Sequence, residues 1–436
     1  MGQGSFYREY YGQTTLHPLG LIVVLVCGIA VLALPRRYAM WPFVVVACFV
    51  APAQRIVIFS LNFTLLRVMV VFGTLRVLAK GEGDSFKWTR MDSLVLMWSA
   101  YAFITDMVVH MSVESMKYEL GIIYDFVGMY FVFRILVRDW DNLSMLVRSF
   151  AVISVPIAAA FLIENRTGRN LFAFLGGVPE ITMVREGRLR CQGAFAHPIL
   201  AGCFWASVLP LILAEWWHGG IRRQLVVVGG ASALIIVVLS ASSTPVLGVV
   251  CIILGALCFP FRRYMRTLRW TLLLTLIFLH MVMNKPVWHL IARMSAVGGS
   301  TGYHRYLLID QALTHVDEWW LLGSSVGSAH WGEGMEDTTN MYVVWGLHGG
   351  LGLLSLFIAM ISVGFGNIGR IWRAWSSDPA KVIMAWGLGL SLLVHTASFV
   401  GTSYFGQINM LWALDLAIIA SLGLLPRPAG LWPAGL

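Results

Sequence analysis

Thirteen stretches of the chain are almost unbroken runs of apolar residues. They lie near 16–34, 41–58, 63–79, 91–111, 119–137, 145–163, 198–214, 224–240, 245–260, 270–284, 341–363, 382–400 and 406–424. A run of roughly 18–20 apolar residues has the length of a helix crossing a bilayer core, where every backbone polar group must be satisfied within the protein. The expected fold is therefore an all-α polytopic membrane protein with about 12–13 transmembrane helices. Only 12% of the 436 residues are charged and 58% are hydrophobic, whereas a soluble domain carries about 25% charged residues. Soluble enzymes are excluded on that ground, and no nucleic-acid partner is expected. The second stretch is the weakest, because Pro52 and Arg55 interrupt it. The first does not read as a cleavable leader, since Arg36 and Arg37 follow the apolar run instead of preceding it.

The formal charge is +9, and its placement matters more than its total. Arg36/Arg37, Lys80/Lys87/Arg90, Arg134/Arg138, Arg222/Arg223, Arg262/Arg263/Arg266/Arg269 and Arg370/Arg373/Lys381 fall in every second connection. The positive-inside rule makes that set cytoplasmic, with the N-terminus outside and the C-terminus inside. A re-entrant segment among the first two would move only the N-terminus. Two longer segments break the alternation, and both fall outside. Residues 164–197, the first long loop, carry Arg166, Arg169, Arg185, Arg188 and Arg190. Residues 285–340, a large loop before the last three helices (341–424), carry Lys285, Arg293, Arg305, His289, His304, His315, His330 and six acidic side chains. The whole chain, 1–436, reads as one integral membrane domain.

Ionisable groups within spans are costly and usually line a cavity or a path. Asp106 and His110 lie one turn apart on one helix face, Asp125 sits in the outer half of the next span, and His197, His280 and His395 lie near outer ends. An outward-opening polar cavity would collect them, although each alone is well explained as a helix–helix hydrogen-bond partner. The chain has no HExxH, no phosphate-binding glycine loop with Lys and no GxSxG elbow. No DxD pair occurs in the external loops, so no metal or other cofactor is expected, with Glu333, Glu336 and Asp337 the closest approach to one. The six cysteines show no CxxC spacing, and Cys191, in the first long loop, is expected to be reachable from outside. Trp41, Trp88, Trp319, Trp320 and Trp331 read as an interfacial belt.

Guanidinium suits phosphate because its planar fork donates two parallel hydrogen bonds and keeps its charge. Apolar helices capped by arginine loops fit a molecule with a lipid tail and a diphosphate, such as a polyprenyl-diphosphate-linked glycan. A lipid flippase or an anion permease would also use outward arginines.

Four stretches resemble one family, the O-antigen polymerase and O-antigen ligase superfamily of bacterial membrane glycosyltransferases. Arg190, Gly193, Phe195 and Pro198, with His197 between the last two, are similar to its Arg-x-x-Gly-x-Phe-x-x-Pro pattern. Ser242-Ser243-Thr244-Pro245 and Gly248 resemble its serine-rich turn, which usually has an Arg where this chain has Thr244 or Pro245. Gly302-Tyr303-His304-Arg305, then Ala312-Leu313, Trp319-Trp320 and Gly323 to Gly327, resemble its large loop. Thr339-Asn340-Met341-Tyr342 and the glycines from Gly346 to Gly352 resemble the start of the following span, with Thr339 where ligases of the family have His. The matches cover roughly 185–352. The resemblance implies a metal-independent helical fold of the GT-C kind in the bacterial inner membrane, with its active site facing the periplasm. It implies an undecaprenyl-diphosphate-linked glycan as donor, a glycan or lipid acceptor, and a flippase and chain-length regulator as partners. Arg190 and Arg305, with His304 and Asn340, are its catalytic candidates. Arg185, Arg188, Gly193, His197 and Tyr342 are its binding candidates, joined by Asp125 from the span reading. The missing His favours a polymerase. A ligase moving finished glycan to lipid A core or another acceptor is the alternative, and a transporter or flippase of lipid-linked sugars the second.

Overall fold

A computed structural model describes residues 14–58, 61–218, 223–293 and 301–426. Helix α1 (Pro18–Ala33) is followed by a short α2 (Trp41–Phe49) and then by α3 (Leu65–Ala79). Thr15 bridges Arg55 at one end of this group. At the other end Arg76 donates from Nη1 to the carbonyls of Val31 and Leu34 at 2.5 and 2.7 Å. α1 and α3 are therefore parallel neighbours, and the chain returns between them. The segment 41–58 is not a full helix, which corrects the expectation. α2 stops at Phe49, and Arg55–Ile58 pairs with Leu61–Thr64 as an antiparallel hairpin. Pro52 supplies no N–H and disfavours helix before it, so the helix ends early and the chain goes on extended. Val50 has already reached the far end, where its carbonyl accepts from Gln407.

The chain then alternates through α4 (Arg90–His110), α5 (Val113–Leu136), α6 (Trp140–Thr167), α7 (Pro198–Ala214), α8 (Arg223–Leu239), α9 (Ser243–Leu257) and α10 (Met265–Val282). α11 (Thr301–Thr314) and the short α12 (Val316–Trp319) lie in the large loop. α13 (Met341–Ala374), α14 (Pro379–Ser398) and α15 (Gln407–Leu422) close the bundle. Local chemistry sets the starts: Thr89 and Asp92 form a reciprocal capping box on α4, and Pro198 and Pro379 open α7 and α14. α6 continues to Thr167, so the first long loop begins at Gly168 and not at residue 164.

Among the described residues, six helices are long and apolar enough to cross a membrane, and four shorter ones are strongly apolar. Ile22, Val26, Ile29, Leu254 and Leu274 are exposed on the outside of the bundle, a surface that belongs in hydrocarbon. α7 and α15 are almost wholly buried, and on α7 Trp205 and Phe204 pack against Phe150 and Phe195. By contrast α10 buries no side chain. The chain is an all-α polytopic membrane protein.

The two ends differ chemically. Arg36, Arg76 and Arg134 gather at one end, paired with Asp139, Glu82 and Asp92. The two long loops lie at the other, called here the loop end. There α13 breaks at Gly349 and Gly350, whose backbone leaves the helical region. Through that break Leu351 N–H bonds the carbonyl of Trp320 at 2.8 Å and Ser324 N–H that of Leu347 at 2.7 Å, docking the large loop.

Candidate active site

The turn between α8 and α9 holds Ser240, Ala241, Ser242 and the first residues of α9. Ala241 has φ of 44° there, in the left-handed region that a residue with a side chain rarely adopts. Two arginines from distant loops meet on this turn. Arg190 lies on the strand Arg188–Arg190, which pairs with Met183–Arg185, and Cys191 N–H bonds the Leu239 carbonyl at 3.0 Å. That register aims the Arg190 Nη2 at Ser242 Oγ, 2.6 Å away, with Nη1 3.5 Å from the sulfur of Met183. Arg305, in the second turn of α11, donates to Thr244 Oγ1 at 2.7 Å and Ser243 Oγ at 3.3 Å. Gly401 leaves room for it, since a Cβ at that position would sit 3.0 Å from Arg305 Cζ.

Both guanidiniums are buried, at 4% and 8% exposure, and neither has a carboxylate partner among the described residues. Arg190 Nε has no hydrogen-bond partner among the described residues. A buried cation without a counter-charge is unfavourable. Burial, and then the nearby charge of Arg185, push the Arg190 pKa down to about 10; the same two causes lower that of Arg305. Both still carry their charge at neutral pH. The arrangement can receive an anion, and the serine and threonine hydroxyls hold the two forks ready for it. A cleft of about 450 Å³ adjoins the turn, bounded by Arg188, Leu189, Ser242 and the side chains of Val238 and Val246. Val238 is exposed on the bundle's apolar outer surface.

The other predicted residues take several positions. Arg185 and Arg188 face each other across the hairpin and are exposed. His197 caps α7, its Nδ1 accepting from Ile199 N–H at 3.1 Å, so its remaining proton sits on Nε2. Burial first, and then Arg190 and Arg185, push its pKa down to about 3, so the ring is neutral. His304, beside Arg305, approaches the Asp337 carbonyl at 3.4 Å. Asn340 is buried and its carboxamide is spent on structure: it caps α13 at Tyr342 and Val343 and donates to the Val400 carbonyl. Gly193 has φ of +56°, and a Cβ there would meet Phe161 at 2.6 Å. Tyr342 donates to the Thr396 carbonyl at 3.1 Å.

The expectation that one outward cavity collects the ionisable span residues needs correction. Only Asp125 among them lines the apolar cavity of about 390 Å³ at the loop end, where a fork of two bonds from Arg67, 2.7 and 2.9 Å long, engages it. Asp106 instead pairs with His110 at 3.0 Å. His395 is fully buried against Tyr404 at 2.9 Å, with Asp415 at 3.4 Å. His280 stacks on Trp288. Hydrocarbon gives such groups no water to bond, so they take partners within the protein instead. Cys191 is likewise fully buried and not reachable from outside. Sequence reasoning missed Arg67, Glu119 and His348, although each is a charged or titratable group within an apolar run.

No protein-family model matches the chain, and no curated protein matches it.

Proposed function

We propose that the chain is a metal-independent glycosyltransferase of GT-C-like architecture that polymerises undecaprenyl-diphosphate-linked oligosaccharide units at the periplasmic face of a bacterial inner membrane. The observation that carries this reading is the pair of buried arginines, Arg190 and Arg305, converging without an acid on one hydroxyl-bearing turn. Their fork geometry matches phosphate oxygens, and the adjoining cleft, walled by Val238 and Val246, suits a polyprenyl chain entering from the lipid. The resemblance of residues 185–352 to the O-antigen polymerase and ligase superfamily supplies the glycan.

In this reading an acceptor sugar hydroxyl attacks the anomeric carbon of the donor, and the bond to the diphosphate oxygen breaks. Negative charge grows on the leaving diphosphate, where two preorganised guanidiniums in a water-poor site lower the barrier. The neutral His197 adds an Nε2–H donor close to Arg190. His304, beside Arg305 in sequence, takes the hydroxyl proton, the role that Thr339 cannot fill. The turn also explains how a serine-rich motif works without an Arg of its own: two arrive from other loops.

Deleting the gene and resolving the cell's surface polysaccharide on a gel tests the reading. A product of single repeat units supports a polymerase. Long chains retained on the lipid carrier indicate a ligase, and accumulation of lipid-linked units on the cytoplasmic side indicates a flippase; either would overturn it.

A further inference from the structure

Three helices bring Asp106 of α4, Glu119 of α5 and His348 of α13 to one point at the loop end. One ligand atom from each lies within 4.8 Å of the other two. Asp106 and Glu119 are 3% and 1% exposed. The alternative is two ion pairs, Asp106 with His110 and Glu119 with His348, of which only the Asp106 carboxylate also accepts a hydrogen bond. Asp106 accepts from Ser115 Oγ at 2.5 Å and pairs with His110 at 3.0 Å. Glu119 has the His348 ring 3.1 Å from Oε2, but in an orientation that makes no hydrogen bond. Both Glu119 oxygens and His348 Nε2 are thus buried without a hydrogen-bond partner among the described residues. A carboxylate so placed needs a ligand.

Charge and geometry choose the ligand. Two carboxylates bring two negative charges into a low-dielectric site, and histidines offset both only when His110 beside Asp106 and His348 beside Glu119 are protonated together. A divalent cation offsets both and leaves the imidazole neutral, with its nitrogen lone pair free to bind. One nitrogen and two oxygen donors suit zinc, with a fourth position open to water. Donors about 2.1 Å from a tetrahedral ion stand ~3.4 Å apart, a contraction that small side-chain rotations supply. The backbone holds His348 in place: a Cβ at Gly349 would lie 2.9 Å from Thr105 Oγ1, so α13 touches α4 beside Asp106.

We propose that Asp106, Glu119 and His348 form a binding site for a divalent transition-metal ion of the zinc class. The ion ties α4 and α5 to the broken joint of α13, on which the large loop docks. It takes no part in the transfer at Arg190 and Arg305, and the inference stands without that reaction.

The test uses the purified full chain in detergent, stripped with chelator and titrated with Co²⁺. Expected are visible d–d absorption saturating at one Co²⁺ per chain, loss of that absorption on adding Zn²⁺, and a higher thermal midpoint with either ion. Glu119→Gln and His348→Ala should weaken binding beyond the roughly 10–100-fold lost with an outer-shell partner. His330→Ala, in the large loop, should bind as the parent does. The wild-type titration decides even where a variant fails to fold: no stoichiometric Co²⁺ signal overturns the site. Unchanged binding by folded Glu119→Gln and His348→Ala overturns it as well, as does stabilisation by Mg²⁺ or Ca²⁺ alone.

Discussion

Replacing Arg190 or Arg305 by Ala separates a binding role from an anchoring one, because the two predict opposite balances of activity and stability. Each guanidinium makes one short bond to a hydroxyl, 2.6 Å for Arg190 and 2.7 Å for Arg305. A hydrogen bond involving a charged group contributes about 1.5–3 kcal/mol. Removing the side chain also removes a buried cation that has no acid partner, which offsets much of that loss. Thermal stability should therefore change by no more than about 1–2 kcal/mol. Transfer should suffer far more. Losing one charged partner of a desolvated diphosphate costs about 2–5 kcal/mol, or roughly thirty- to several-thousand-fold in rate. Arg→Lys keeps the charge without the fork and should fall between parent and Ala. Arg166 and Arg169 are exposed, and the Arg169–Glu180 pair is 74% and 66% exposed. Such pairs contribute at most about 1 kcal/mol, so their Ala variants should lose less than about fivefold. The assay is polymer formation at matched membrane expression, with thermal unfolding run in parallel. Near-normal product from both Arg190→Ala and Arg305→Ala would refute the site, as would similar small losses at all four positions.

Three further outcomes are expected. His197 titrates near 6.5 when unfolded and near 3 when folded, so stability is full above pH 6.5 and declines as pH falls toward 3, by up to about 1.4 kcal/mol per pH unit; His197→Asn keeps a cap and should flatten that slope in thermal melts, and an unchanged slope would exclude His197 as its source. With the fully buried Cys191 unlabelled, Glu186→Cys on the exposed hairpin should react with an impermeant thiol reagent in intact spheroplasts, and Arg263→Cys only after lysis; the reverse pattern would invert the orientation. Gly350→Ala places a Cβ 2.4 Å from the Leu321 carbonyl at a φ of +66°, and should destabilise by about 2–4 kcal/mol. Gly366→Ala, with open space around it on the same helix, should not; equal effects in melting experiments would remove the steric argument.

The spans were legible because hydrocarbon demands long apolar runs, and the ends because basic residues alternate between connections. Residues 41–58 failed at the place where Pro52 breaks a run whose apolarity alone says helix. Arg190 and Arg305 stood out through motif resemblance, yet nothing local in either motif says that both reach the turn at Ser242–Thr244, since that contact joins residues 52 and 61 positions apart. Asn340 shows a related limit: a polar residue just before an apolar run reads equally as a helix cap or as a site group, and the fold shows it capping α13. Glu119 and His348 were hidden because each sits near the end of a span, where an isolated titratable side chain looks unremarkable until a third helix arrives.

Helix α10 joins α9 to the large loop while burying none of its own side chains. Interior packing therefore places almost no veto on which apolar residues occupy it. Hydrocarbon asks only for length and greasiness, so the identity of Leu272, Leu274 or Phe278 is interchangeable in a way that of Phe204 is not. Across diverging descendants of this chain, α10 should drift quickly in sequence and hold steady in hydropathy, while the buried α7 should change slowly in both.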